Sequence, residues 1–232
     1  MARQERAIRT RRKILVVAAS VFDQVGYEAA TISDILDQSG LTKGALYFHF
    51  GSKEELAQAV LAEQVAALPP VPPQGLKLQE AIDEGMLLAH LLTGEHGDPI
   101  IQGSIRLTVD QGSSKDNLDR RVPMQGWIDH SLGLFSEARK NGEVLPHADL
   151  DSVSRLFAGC YTGVQVLSRI MTDRQDLAER MSDMYRNLMP ALAVPSVLAR
   201  LDFSTDRGAL VYERVMRASQ EQDEGAGYTV GV

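Results

Sequence analysis

A chain of 232 residues and 25.4 kDa, 44% hydrophobic with a mean hydropathy of −0.14, accommodates a small amino-terminal module and one sizeable core but not three ordinary domains. No run approaches the roughly 20 apolar residues of a membrane span, and the opening MARQERAIRTRR has no apolar stretch of the kind a secretory signal needs. One cysteine, Cys160, allows no internal disulfide and suits a reducing cytoplasm. The net charge of −7 is unevenly placed: residues 1–53 hold eight Lys/Arg against five Asp/Glu, a net +3, which leaves sixteen against twenty-six, a net −10, for the remainder.

The positive charge is densest in a basic arm over 1–13, where Arg3, Arg6, Arg9, Arg11, Arg12 and Lys13 oppose the single Glu5. An arm of this kind is a solvated tail unless it leads into a DNA-binding element, in which case it neutralises phosphates or reaches into a minor groove. From Ile8 to Val25, apolar residues recur at three and four (Ile14, Leu15, Val17, Ala18, Val21, Phe22), which predicts an amphipathic helix ended by Gly26.

The next stretch, TISDILDQSGLTKGALYFHFGSK over 31–53, organises the chain. Thr31 and Asp34 form a capping box that starts a helix burying Ile32, Ile35 and Leu36, Gly40 breaks it, and a second short helix starts at Thr42. Ser52 and Glu55 form another capping box, which opens a helix predicted from Lys53 to about Leu68. Two short helices joined at a Gly turn, here over 31–50, are either a plain helical hairpin or a helix-turn-helix whose second helix enters the major groove. The second helix offers the donors of Thr42, Lys43, Tyr47 and His49 and the bare backbone of Gly44, and no carboxylate falls between Leu41 and Ser52. That composition suits phosphates and base edges.

PPVPP, Pro69 to Pro73, cannot continue a helix, so the domain boundary is expected there: 1–68 for DNA binding, 69–219 for a helical ligand-binding and dimerisation domain. Helices are expected over 76–93, 100–111, 123–140, 150–171 and 174–188, with GSSKDNLDRR as a loop. No convincing period-2 alternation appears over 31–220, so the chain is read as all-α. Residues 150–171 are apolar nearly all round, and Gly159 and Gly163 leave room for another backbone. With the following helix they could pack against their copies as a four-helix bundle, or fill one monomer core. From Gln220 the tail is short of large apolar residues, and disorder over 220–232 is expected.

Catalytic and metal chemistry find no constellation. The five histidines at 49, 90, 96, 130 and 147 have no HExxH or HxH spacing, there is no GxSxG elbow and no phosphate-cradling Gly loop, and Cys160 on an apolar face reads as packing. Catalytic residues, metal and cofactor are therefore all expected to be none. An enzyme acting on a small molecule stays a formal alternative. For a ligand wall, Trp127 among Met124, Ile128 and Leu134 supplies a rigid flat face, and Thr108 and Thr162 could donate to a carbonyl.

The run from Gly26 to Leu56 resembles the DNA-binding signature of the tetracycline-repressor (TetR) family of bacterial transcription regulators, through Thr31, Ile35, Gly40, Lys43, Gly44, Tyr47, Phe48, Phe50, Lys53 and Leu56. TKGALYFHF, the preamble MARQERAIRTRRKIL, and the later RLTVDQG, RRVPMQGW, GEVLPH and TGVQVLSR are similar to the γ-butyrolactone autoregulator receptors within that family, including receptors for avenolide-type butenolides, from about residue 3 to about residue 203. The resemblance implies a homodimeric cytoplasmic repressor on a near-palindromic operator, released by a small lactone. A pseudo-receptor or efflux-type regulator answering to another molecule, or a helical binding protein without DNA, are the alternatives. It adds Thr31, Phe48 and Lys53 to the DNA-facing set Arg3, Arg6, Arg9, Arg11, Thr42, Lys43, Gly44, Tyr47 and His49. It also implies that Trp127 lines the ligand pocket, with Gln64, Leu88, Thr108, Thr162 and Val164 as further picks.

Overall fold

The computed structural model describes residues 2–93, 97–110 and 116–227, without the side chains of residues 2, 3 and 222–227. Among the described residues the fold is helical, and the only extended pairing is an isolated bridge between Val144 and Ala193. Eleven α-helices follow in chain order: α1 (Ala2–Ala29), α2 (Ile32–Ser39), α3 (Lys43–His49), α4 (Lys53–Ala62), α5 (Lys77–Leu91), α6 (Pro99–Val109), α7 (Arg121–Lys140), α8 (Leu150–Thr172), α9 (Leu177–Leu188), α10 (Pro195–Leu198) and α11 (Arg207–Gly227). The chain forms two compact units, residues 1–68 with 97–126, and residues 69–96 with 127–232.

The first unit is held by one apolar cluster. Ile14, Leu15, Ala18, Ala19, Val21 and Phe22 of α1, Ile35 of α2, Leu46 of α3 and Leu56, Ala57, Val60 and Leu61 of α4 are all buried in it, together with Ile100, Leu107 and Leu118 from the later segment. Burying a Leu or Phe side chain is worth about 1.5–3 kcal/mol each, so this cluster, rather than helix propensity, holds helices as short as α2 and α3. Gly26 interrupts α1 at φ +76°, a left-handed value that L side chains rarely adopt. α2 ends on Gly40 at φ +64°, whose amide donates to the Leu36 carbonyl.

The boundary expected from sequence placed everything after residue 68 in the second domain, and the structure corrects this for residues 97–126. Gly103 explains why: a Cβ there would collide with the backbone carbonyl of Ala19, so α6 lies against α1 at glycine distance. Polar links add to it. The Gln58 amide pairs with the backbone of Asp119 at 2.9 and 3.3 Å, and the Arg120 guanidinium donates to the Leu107 carbonyl at 2.7 Å and to the Asp116 carboxylate.

In the second unit, α5 is the most buried helix, with Leu78, Ile82, Met86, Leu87, Leu88, Ala89 and Leu91 all inside. Its N-cap position, Leu76, has no capping side chain. The buried carboxylate of Glu143 takes that role, accepting from the amides of Lys77 and Leu78, each at 2.9 Å. α11 is pinned to α5 by Arg207, which makes a two-toothed pair with the fully buried Asp83 at 2.6 and 2.9 Å, and by Gly208, where a Cβ would collide with the Met86 carbonyl. Tyr161 of α8 donates to the Gly85 carbonyl at 3.1 Å, and burial pushes its phenol well above the ordinary tyrosine range.

Three further expectations change. α4 stops at Ala62 and residues 63–68 form turns instead of a helix running to Leu68; the buried side chain of Gln64 bonds Thr108 there, ahead of the Pro69–Pro73 block. The tail expected to be disordered from Gln220 is helical through Gly227, because Glu, Gln and Ala favour a helix once α11 is anchored; residues 228–232 lie outside the described residues. α9 turns its apolar residues Leu177, Met181, Met184 and Tyr185 inward, whereas α8 leaves Leu156, Leu167, Ile170 and Met171 exposed, Ile170 at 74%.

Candidate nucleic-acid interface and ligand-recognition residues

Helix α3 has two unlike faces. Leu46 is fully buried in the cluster, while Thr42, Lys43, Gly44, Tyr47 and Phe48 are exposed, Phe48 at 79%. Thr42 caps the helix, its hydroxyl accepting from the Ala45 amide at 3.2 Å, which leaves the hydroxyl proton available for another acceptor. A Cβ on Gly44 would meet nothing within 4 Å. Glycine costs a helix interior about 1 kcal/mol against Ala and fills no packing need at this position. The Lys43 ammonium lies 5.8 Å from the Tyr47 ring centroid, on the same face one turn on, and His49 is half-buried between the rings of Phe48 and Phe50.

The rest of the expected DNA-facing set divides. Arg6, Arg9 and Arg11 are exposed on α1, whereas the side chain of Arg3 lies outside the described residues. The Arg11 guanidinium sits 5.1 Å from the Phe50 ring centroid, and Glu63 lies 4.0 and 3.8 Å from Arg11 and Arg12. Thr31 caps α2 through the expected box: its hydroxyl accepts from the Asp34 amide at 3.2 Å, while the Asp34 carboxylate accepts from the Thr31 hydroxyl at 2.7 Å and the Thr31 amide at 2.9 Å, and these last two bonds hold the carboxyl below its ordinary range. The second expected box is half formed. Ser52 accepts from the Glu55 amide, but Glu55 reaches past it to the Gly51 amide at 2.7 Å.

Lys53 has partners inside the protein. Its ammonium donates to the carbonyls of Tyr27 at 2.8 Å and Ala30 at 2.9 Å and stands 4.4 Å from the Tyr27 ring centroid. The carbonyls left free where α1 ends hold this cation, and the long side chain of a residue at the start of α4 is what reaches them. Sequence gives no signal for this bond, because its partners lie 23 and 26 positions away.

The six expected ligand residues fall in both units. Gln64 and Thr108 are together in the first: the buried Gln64 amide accepts from the Thr108 hydroxyl at 3.1 Å, and that hydroxyl is also 2.8 Å from the Ser104 carbonyl. Leu88, Trp127, Thr162 and Val164 belong to the second. There Leu88 is buried on α5 and Trp127 is half-buried on α7, its ring edge-on to His130 at 6.1 Å between centroids. The Thr162 hydroxyl donates to the Ala158 carbonyl of its own helix at 2.8 Å, and Val164 is half-buried. The sequence reading passed over the pair beside Trp127: His130 shares a hydrogen bond of 2.6 Å with Glu84 of α5, which raises the imidazole pKa against the opposing effect of burial. A histidine three residues after the Trp was the available signal. No cluster of His, Cys, Asp and Glu able to hold a metal ion occurs among the described residues, and His96 lies outside them.

A short helix with a buried inner face and a carboxylate-free donor face, set behind a basic helix, defines a helix-turn-helix DNA-binding protein. Residues 14–60 match the family described as bacterial regulatory proteins, tetR family. The A-factor receptor protein of Streptomyces griseus is 35% identical over 98% of this chain and 82% of its own length. Among solved structures, the TetR regulator TylP of Streptomyces fradiae is 55% identical with a TM-score of 0.85, covering 91% of this chain and 99% of that one. CprB of Streptomyces coelicolor, solved with its biological operator, is 28% identical with a TM-score of 0.64, covering 90% and 99%. The chain belongs to the TetR family of bacterial transcriptional regulators.

Proposed function

We propose that the chain is a homodimeric transcriptional repressor that leaves a near-palindromic operator when a γ-butyrolactone or butenolide signal binds, and that it controls secondary metabolism from the bacterial cytoplasm. The observation that carries the DNA half is the outer face of α3, where Thr42, Lys43, Gly44, Tyr47 and Phe48 have no packing task and no carboxylate beside them. In this reading the arm residues Arg3, Arg6, Arg9 and Arg11 neutralise phosphate, Lys43 and the Thr42 hydroxyl reach backbone or base edges, Gly44 lets the duplex approach, and Tyr47, Phe48 and His49 meet sugar and base methyls. Thr31 and Lys53 act indirectly, by fixing the start of α2 and the end of α1.

The ligand half is supported by the resemblance to the A-factor receptor protein and by the flat Trp127 face in the second unit. Trp127 and Leu88 are the proposed wall there, with Thr162 and Val164 as lesser contributors. The Gln64–Thr108 bond in the first unit is the proposed responding group, since it ties the turn after α4 to α6. The exposed apolar face of α8 is the proposed two-fold interface, which would set two α3 helices on half-sites about 34 Å apart. The protein turns over no substrate in this reading, and it needs no cofactor or metal.

A gel shift on the chain's own upstream DNA tests the whole. A salt-dependent, sequence-selective shift should appear and should be reversed by an added lactone, with reciprocal weakening of lactone binding by operator of about 5- to 150-fold. No shift on any promoter fragment refutes the DNA half, and a shift that survives saturating lactone refutes the receptor half.

A further inference from the structure

Gln165, in the middle of α8, is only 4% exposed, and its amide oxygen is buried with no hydrogen-bond partner. Buried acceptors of this kind are rare because each gives up its bond to water for nothing, so each calls for an explanation. Two contacts fix what faces it. Tyr161, one turn earlier on α8, bonds the Gly85 carbonyl of α5, and Arg174, just past the end of α8, reaches the Leu92 carbonyl at 3.4 Å. α8 therefore passes α5 in the same sense, and Gln165 lies on α8 between those two contacts. Between Gly85 and Leu92, α5 is apolar except for His90.

We propose that the Gln165 amide oxygen is the specificity-determining acceptor for an alcohol group on the small-molecule ligand; this rests on the lactone-receptor reading above. A neutral O–H fits better than an ammonium. The nearby carboxylates are engaged, Asp83 by Arg207 and Glu84 by His130, while Arg169 one turn further along α8 puts positive charge on that side. The same surroundings continue to the proposed wall: Trp127 stacks edge-on to His130, His130 bonds Glu84, and Glu84 precedes the Gly85 that anchors Tyr161. An apolar tail lying along Leu88 with one hydroxyl turned toward α8 would donate to Gln165 and could accept from the buried Arg169 guanidinium nitrogen one turn on, which also has no partner among the described residues.

The test is calorimetry on the full-length protein with γ-butyrolactones whose alkyl side chain carries a secondary alcohol at successive carbons, and with the same lactone lacking the alcohol. One positional isomer should bind at least tenfold more tightly than the deoxy compound, and Gln165→Met, which keeps the volume, should remove that preference while leaving deoxy affinity within about twofold. Thermal unfolding without ligand gives a second readout: Gln165→Met should match or exceed the wild-type Tm, since no bond is lost. If neither lactone class binds, the receptor reading falls and takes this inference with it. If both bind and the variant keeps the same discrimination, or if the variant unfolds markedly earlier, Gln165 holds only a resident water or an internal bond, and this inference alone is overturned.

Discussion

Gly44 and Lys43 stand side by side at the start of α3 yet make opposite predictions. Gly44→Ala adds a methyl group into open space, so it should raise helix stability by about 1 kcal/mol and increase Tm slightly while weakening operator binding, because the duplex loses its close approach. Lys43→Ala should leave Tm and the oligomeric state alone, weaken DNA binding, and reduce by about one the slope of log affinity against log salt. Lys53 behaves as neither. Removing its ammonium by Lys53→Met strips charge-assisted bonds from the carbonyls of Tyr27 and Ala30 and should cost about 2 kcal/mol of stability by denaturant unfolding, with the DNA salt slope unchanged. These residues mark where sequence is legible. Thr31, Asp34 and Gly40 act on neighbours within four positions, and their caps are written in local order. Lys53 acts across 26 positions and Glu143 across 65, distances that no local pattern encodes.

At the scale of elements, packing decides what periodicity leaves open. The apolar spacing of α6 says that it is a helix and which side is buried, but not which unit buries it; Gly103 against Ala19 assigns it to α1. Gly103→Ala would force α6 away from α1, and about 1–3 kcal/mol of overpacking strain should appear as a lower Tm together with weakened operator binding. The α5–α7 contact carries a pH dependence. The His130 pKa is raised by Glu84, so the pair's contribution is full below the ordinary imidazole value near 6.5 and is lost as pH climbs through the raised folded value. Measured against Glu84→Gln, wild-type Tm should show an advantage at pH 6 that fades on the alkaline side of 7. A constant difference across that range would mean the pair contributes only packing.

For the molecule as a whole, α8 matters most. Its stripe of Leu156, Gly159, Gly163, Leu167 and Ile170 is exposed, and the two glycines would admit a Cβ without touching anything, so the face is either bare or covered by a copy. Ile170→Glu together with Leu167→Glu should yield a monomer by sedimentation and lower operator affinity by orders of magnitude, with helicity by circular dichroism retained. The apolar character of this helix was readable from composition. That α9 turns inward instead of sharing the face was not, because its own apolar residues face α5 and α8 within the same unit.

The return of residues 97–126 to the first unit has a practical result. A segment ending at Leu68 leaves the apolar side of α1 without Ile100, Leu107 and Leu118, so the reading head cannot be transplanted by a single cut at the proline block. A working chimaera has to carry both pieces of chain, and a ribosome making this protein cannot finish its first folded body before the segment ending at Gly126 has been made.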